Sequence, residues 1–324
     1  MPKADYLDDH ALAADLAERA GQLLLDLRAQ GGDPKTLRDA GDKQSHDFLM
    51  AELAKARPGD AVLSEEGVDD KARLTADRVW IVDPLDGTKE FGEPGRSDWA
   101  VHVALWARTA SADGGDLIAG AVALPAQNRV LATSARPRTT ADPHATGDLH
   151  RATAAETTGD PHMTGDLHRA DEGDGTNGAE GAERPDPGEG SGGRSEGLSA
   201  GSFPGPGAQR PLRMVVSRTR ASDLVKAVAA RLNAELVPWG SAGAKVATVV
   251  LGENDAYLHS GGFYEWDTAA PVAVARQRGY HVSRIDGSRV VYNQEDPLLP
   301  DILVCRPAIA PVLLEAIREA THAI

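Results

Sequence analysis

Cysteine is nearly absent from this chain: there is one, Cys305, in the apolar stretch DILVC. That excludes an internal disulfide and a thiolate-rich metal site, and the residue reads as a small core side chain. No apolar run reaches the ~20 residues that span a bilayer, and the opening MPKADYLDDH lacks the apolar centre of a signal peptide. These absences predict a protein of the reducing cytoplasm with no integral membrane contact. Positive charge is also scarce. Lysine and arginine number 34 against 49 aspartates and glutamates, a formal net charge of −15. Such a balance argues against a nucleic-acid polymer or an anionic membrane as partner. It would also repel a small phosphate substrate, unless divalent cations reverse the field locally.

With 324 residues the chain can bury one large core or two smaller ones. Three segments are expected: an N-terminal α+β lobe over 1–135, a low-complexity insertion over 136–210, and a C-terminal α/β lobe over 211–324. The insertion is rich in Gly, Pro, Ser, Thr, Asp and Glu, and too poor in large apolar residues to offset its ordering entropy. It carries a near-duplication, DPHATGDLHRA from Asp142 and DPHMTGDLHRA from Asp160. The histidines His144, His150, His162 and His168 are candidate transition-metal ligands. A disordered, locally duplicated loop is the simpler reading of that composition.

Elsewhere, hydrophobic spacing predicts helices over Asp8–Arg28 and about Lys43–Ala56, the second with Asp42 as its N-cap. Strands are expected at Ala61–Leu63, Val79–Val82, Trp99–Trp106, Leu117–Leu124 and Arg129–Thr133, the last two as a hairpin. After the insertion come a strand at Arg213–Val216, a helix capped by Ser222, and a helix after Gly240 that carries Lys245. A strand at Ala256–His259 then leads into a helix over Trp266–Arg278. Strands at His281–Ile285 and Ile302–Cys305 precede a last helix over Pro311–His322. This mixture favours a layered α/β sandwich over a regular βαβ array.

The chemistry concentrates in WIVDPLDGTKEF, Trp80 to Phe91. A buried strand there ends on Asp83 and Asp86, two anions that are costly to desolvate without a cation between them. Lys89 is too close in sequence to serve both easily, so a cation from solution is the sharper reading. Other acids fall at junctions too: Asp42, the pair Glu65–Glu66 in AVLSEEG, and Asp267 in EWDTAA. An all-oxygen set without HExxH suits magnesium or manganese better than zinc. Pro84 fixes the turn, the Leu85 carbonyl can face both carboxylates, and Gly87 and Thr88 open a helix whose N–H groups suit an anion. Taken singly, each acid has a bland reading as a solvated turn or helix cap. The combination does not.

DPLDGT, preceded by SEEG and followed by WDTAA, resembles the lithium-sensitive, magnesium-dependent phosphatases of the inositol monophosphatase superfamily. Within it, DGTKEF, VSRTR from Val216, GSAGAK from Gly240 and GGFYEWDTAAP are similar to the CysQ-type 3'(2'),5'-bisphosphate nucleotidases of actinobacteria. The resemblance implies a layered α-β-α-β-α sandwich of the inositol monophosphatase/fructose-1,6-bisphosphatase type. It implies that two or three Mg2+ ions (or Mn2+) are bound by Glu65, Asp83, Asp86, Asp267 and the Leu85 carbonyl, with Glu66 behind them. Asp42 and Thr88 would orient the attacking water, with Asp39 as the alternative acid because RDAGDK matches the family pattern loosely. Gly87, Thr88, Arg218, Ser241 and Lys245 would contact substrate. The implied reaction is hydrolysis of 3'-phosphoadenosine 5'-phosphate to AMP, which recycles a nucleotide of sulfate assimilation, in a protein that can form homodimers. Inositol monophosphate or fructose 1,6-bisphosphate are alternative substrates, and a non-catalytic magnesium- or nucleotide-binding regulator is the reading from another class.

Overall fold

The computed structural model describes residues 8–111, 114–134, 210–219 and 221–322. The expectations for the insertion and its histidines lie outside these residues. Two long helices come first, α1 (Asp9–Ala29) and α2 (Pro34–Ala56). Asp8 caps α1 by accepting the Ala11 N–H. α2 begins nine residues earlier than its apolar spacing suggested, because Asp33 caps it and Pro34 fits its first turn. Asp42 is therefore not a cap but an interior helix residue. Gly41 beside it has a packing reason: a Cβ there would lie 2.8 Å from the Phe91 ring.

The first sheet has the order β1 (Ala61–Ser64), β2 (Arg78–Asp86), β3 (Ala100–Ala107), β4 (Asp116–Leu124), β5 (Arg129–Ala132). Only β1 and β2 pair in parallel. A short helix, α3 (Thr88–Gly92), follows β2 directly. The second sheet has the order β7-β6-β8-β10-β9, built from β6 (Arg213–Ser217), β7 (Glu235–Trp239), β8 (Ala256–Tyr264), β9 (His281–Ser283) and β10 (Leu298–Cys305). The strand β7 was not legible in the sequence, since Pro238 argues against a strand. Its position at the sheet edge is where a proline is tolerated.

Helices α5 (Ala242–Val250) and α6 (Glu265–Gln277) pack between the sheets. α1 and α2 cover the outer face of the first sheet, and α4 (Asp223–Arg231) with α7 (Ala310–Thr321) cover the outer face of the second. The result is the expected α-β-α-β-α sandwich. β3 shows how the sequence specifies it. Val101, Val103 and Leu105 enter the core beneath α1 and α2, while Ala100, Ala104 and Trp106 enter the core shared with α5 and α6. A strand covered on both faces must be apolar throughout, apart from residues with a task. His102 is the exception, and it is fully buried. Cys305 packs under α4 and α7 as a small apolar side chain.

Candidate active site

The parallel register pairs Ser64 with Val82, so the chain leaves β1 at the level of Asp83 and places Glu65 beside it. The Glu65 N–H still reaches the Val82 carbonyl at 3.4 Å. β2 then carries one extra residue against β3: Asp83 opposes His102 and Asp86 opposes Ala100. This bulge at Pro84–Leu85 turns both aspartates of DPLD toward one cleft. α6 supplies Asp267 from the other side, and its carboxylate also accepts the Tyr264 N–H at 2.6 Å. Capping and a place in the cleft coexist in one side chain. The cleft has a volume of roughly 350 Å3, and Glu65, Asp83, Asp86, Thr88 and Asp267 line it.

Two aspartates at the centre use their oxygens differently. Asp86 Oδ2 accepts the Ser241 hydroxyl at 2.6 Å and the Gly243 N–H at 2.8 Å, with His102 Nε2 at 3.2 Å. Its other oxygen is left for the cleft. Asp83 Oδ1 accepts the Leu85 N–H, but Oδ2 is buried without a donor. Burial, then the charges of Glu65, Asp86 and Asp267, holds the Asp83 carboxyl well above its usual range. Glu65 is exposed as a residue, yet it lines the cleft among the other acids. Desolvation first, then Asp267, pushes it up to about 8. Acids crowded around an orphaned buried oxygen fit a cation, and the donor set fits a hard divalent one. Asp83, Asp86 and His102 each offer a donor atom within 4.8 Å of the others.

The inositol monophosphatase family matches residues 9–322. The chain belongs to that family. A protein of Mycobacterium leprae (strain TN) named 3'-phosphoadenosine 5'-phosphate phosphatase is 43% identical over 326 residues, 98% of this chain and 97% of the relative. CysQ from Bacteroides thetaiotaomicron, a bacterial member of the inositol monophosphatase family, is similar in structure with a TM-score of 0.63 at 25% identity. That match covers 93% of this chain and 98% of the other. Inositol monophosphatase II of Staphylococcus aureus MSSA476 has a TM-score of 0.61 at 17% identity over 94% of both chains, a likeness of fold. Inositol monophosphatase-family proteins are metal-dependent, in keeping with the acid cluster found here.

As an inositol monophosphatase-family site, the cleft brings most of the anticipated residues together. The Thr88 hydroxyl lies 3.3 Å from Asp42 Oδ1 and 3.1 Å from the Leu85 carbonyl, and its single proton serves one at a time. Burial raises the Asp42 carboxyl to about 6, with the Glu66 charge adding and the Thr88 hydroxyl opposing. Asp39 faces solvent and pairs with Lys35, so of the two acids Asp42 is the one beside Thr88. Gly87 starts α3 with φ of 88°, and a Cβ there would press on Ser241, Asp98 and Trp99, so only glycine fits.

Three expected substrate contacts look different in place. Ser241 is buried, caps α5 and donates its proton to Asp86. It supports an acid of the cleft that it also lines. Lys245 is not a solvated helix lysine: it is buried, donates to the Gly240 and Ser241 carbonyls, and lies 5.3 Å from the Tyr257 ring centre. Arg218 lines the cleft with its guanidinium held by Glu90 and Glu93 at 2.8–3.0 Å. Two residues escaped the sequence reading, and a third, Lys89, entered it only as a counter-ion for the two aspartates. His102 could have been found as the lone polar residue in VHVALW; its Nδ1 lies 3.1 Å from the Trp266 carbonyl. Gly243 gives no signal beyond its type, yet a Cβ there would sit 1.9 Å from His102 Nε2. Lys89 also lines the cleft, in an exposed position that a sequence cannot tell from an ordinary surface lysine.

Proposed function

We propose that this protein hydrolyses 3'-phosphoadenosine 5'-phosphate to AMP and phosphate, with Mg2+ as its metal. The observation that carries the chemistry is the orphaned Asp83 Oδ2 among Glu65, Asp86 and Asp267. The name of the M. leprae relative, nearly half identical along the whole chain, supports the nucleotide as substrate. Glu65, Asp83, Asp86 and Asp267, with the Leu85 carbonyl, would hold two or three ions. Bound magnesium lowers the pKa of water and offsets the charge of the phosphoryl oxygens.

The remaining work falls to the chain's own groups. The Asp42 carboxyl, raised to about 6, is matched to taking a proton from the attacking water near neutral pH. The Thr88 hydroxyl beside it orients that water. Gly87 and Thr88 present backbone to the phosphoryl group where α3 begins. Ser241 and the Gly243 N–H fix the Asp86 carboxylate, so that its orientation is set before substrate arrives. Lys89, Lys245 and Arg218 place positive charge along the same cleft for a second phosphate. The reading extends to a cytoplasmic location, from the scarcity of cysteine and of long apolar runs, and to a homodimer, from family resemblance.

Phosphate release from 3'-phosphoadenosine 5'-phosphate, inositol 1-phosphate and fructose 1,6-bisphosphate, in magnesium with and without lithium, tests it. The expected result is a strong preference for the nucleotide that lithium suppresses. Comparable rates on the sugar phosphates would retain the chemistry and remove the substrate assignment. No release from any of the three would remove both.

A further inference from the structure

Glu65 and Asp267 lie 202 residues apart in sequence, and both line the cleft. The turn that carries Glu65 has little packing of its own: residues 65–68 are exposed, and Val68 is completely so. Asp69 is the first residue after the turn to be gripped by cations. Arg73 takes it with two parallel bonds, Nε to Oδ1 at 2.6 Å and Nη2 to Oδ2 at 3.0 Å, and Lys71 adds a third at 2.6 Å.

The Arg73 side chain is fully buried, and its remaining arm reaches the opposite segment. Nη1 donates to Asn293 Oδ1 at 2.8 Å, and Asn293 Nδ2 returns a bond to the Arg73 carbonyl at 3.3 Å. Asn293 has a left-handed backbone, φ 60°, which an asparagine tolerates better than most residues. That conformation lets the N–H groups of Asn293 and Gln294 both donate to the buried Glu265 carboxylate, at 2.7 and 2.8 Å. Glu265 is the first residue of α6, two before Asp267. A chain of hydrogen bonds thus runs from Asp69, four residues past Glu65, through Arg73 and Asn293 to Glu265 in the turn that carries Asp267.

We propose that Arg73 is a positioning residue for the metal site, a brace that sets the Glu65 turn at a fixed distance from the first turn of α6. It is not among the residues that line the cleft. A buried guanidinium is a weak device for stability, since desolvation offsets most of its pairing. It is a good device for geometry, because its planar fork fixes two partners at once. The proposal rests on the carboxylates holding metal, and its test separates the two.

The test is calorimetric titration of magnesium into metal-free protein, for wild type, Arg73→Lys, Arg73→Met and Arg276→Met, with a melting temperature for each. Arg276 is the control: it also bridges segments, through Asp116 and the Val290 carbonyl, but has no bond to this chain of residues. Both Arg73 variants should weaken magnesium binding about 10–100-fold. Arg276→Met should lower the melting temperature and keep the wild-type affinity. Should Arg73→Met fail to fold, Asp69→Asn breaks the same grip from its half-exposed side and carries the same expectation. Wild-type affinity in the Arg73 and Asp69 variants, or an equal loss in Arg276→Met, would overturn the brace. Wild-type protein that takes up no magnesium would overturn the metal reading beneath it.

Discussion

Three lysines and arginines line the cleft among the described residues, and they are not equally free to meet a phosphate. Arg218 is clamped by Glu90 and Glu93, which hold its pKa above the ordinary value. Lys245 is buried against backbone carbonyls and the Tyr257 ring. Lys89 is exposed and makes no hydrogen bond or ion pair with the described residues. A charge-assisted contact contributes about 1.5–3 kcal/mol, roughly ten- to hundredfold in affinity. Lys89→Gln should therefore raise KM for 3'-phosphoadenosine 5'-phosphate by at least about tenfold and leave kcat and the constants for 3'-AMP nearly unchanged. Steady-state kinetics on the two substrates decides it. An equal loss on both would move Lys89 to the phosphate that is cleaved.

At the scale of elements, the site depends on how closely α5 approaches β3. Gly243 lies against His102, and the N–H of the same glycine holds Asp86. A methyl group there has to displace either the imidazole or the first turn of α5, because both are buried. Overpacking of this kind costs about 1–3 kcal/mol of stability. Gly243→Ala should lower kcat/KM about 100-fold or more, out of proportion to its modest drop in melting temperature, since the shift falls on an acid of the cleft. A variant that melts lower but turns over normally would show that Asp86 does not need this support. The bulge in β2 belongs to the same scale. Pro84 in DPLD announces a break in pairing, but only the register against β3 shows that it is one residue wide.

For the whole molecule, the raised carboxyls tie stability to pH and metal. Glu65 at about 8, Asp42 at about 6 and Asp83 above its usual range all keep protons in the fold that an unfolded chain has released. Glu265, raised to about 7, adds to them, whereas His102 and His281, both held low by burial, oppose them below about pH 6.5. These acids outnumber the two histidines, so between about pH 5 and pH 8 the folded state binds more protons than the unfolded one, and metal-free stability falls as pH rises. The depressed acids act elsewhere. Asp69, held at about 2 by Arg73, contributes stability that is lost only in stronger acid. Magnesium replaces the protons, so its stabilising effect should grow over the same window. Melting curves at pH 5 and pH 8, in chelator and in magnesium, are expected to show the metal-free midpoint falling and the magnesium increment widening. A midpoint independent of pH, or an increment equal at both values, would contradict the crowded-acid account.

Local chemistry determined much of this protein from the sequence alone. The apolar alternation of β3, the Ser222 cap of α4 and the break at Pro84 each rest on neighbours within a few residues, so the string itself carries them. The junction acids Glu65, Asp83, Asp86 and Asp267 were legible for a related reason: carboxylates at the ends of buried elements need an explanation wherever they occur. Other features were decided only when distant segments met. Asp42 read as a cap until α2 proved to be capped by Asp33, and its contact with Thr88 comes from packing between α2 and the start of α3. Ser241 and Lys245 both line the cleft, but only the fold shows that Ser241 also holds Asp86 and that Lys245 also donates to backbone carbonyls. Gly243 and the links from Arg73 through Asn293 to Glu265 carry no local signature, because each is defined by a partner 28 to 220 residues away. Hydrogen bonds and close approaches at that separation are properties of the folded chain, and tertiary structure alone assigns them.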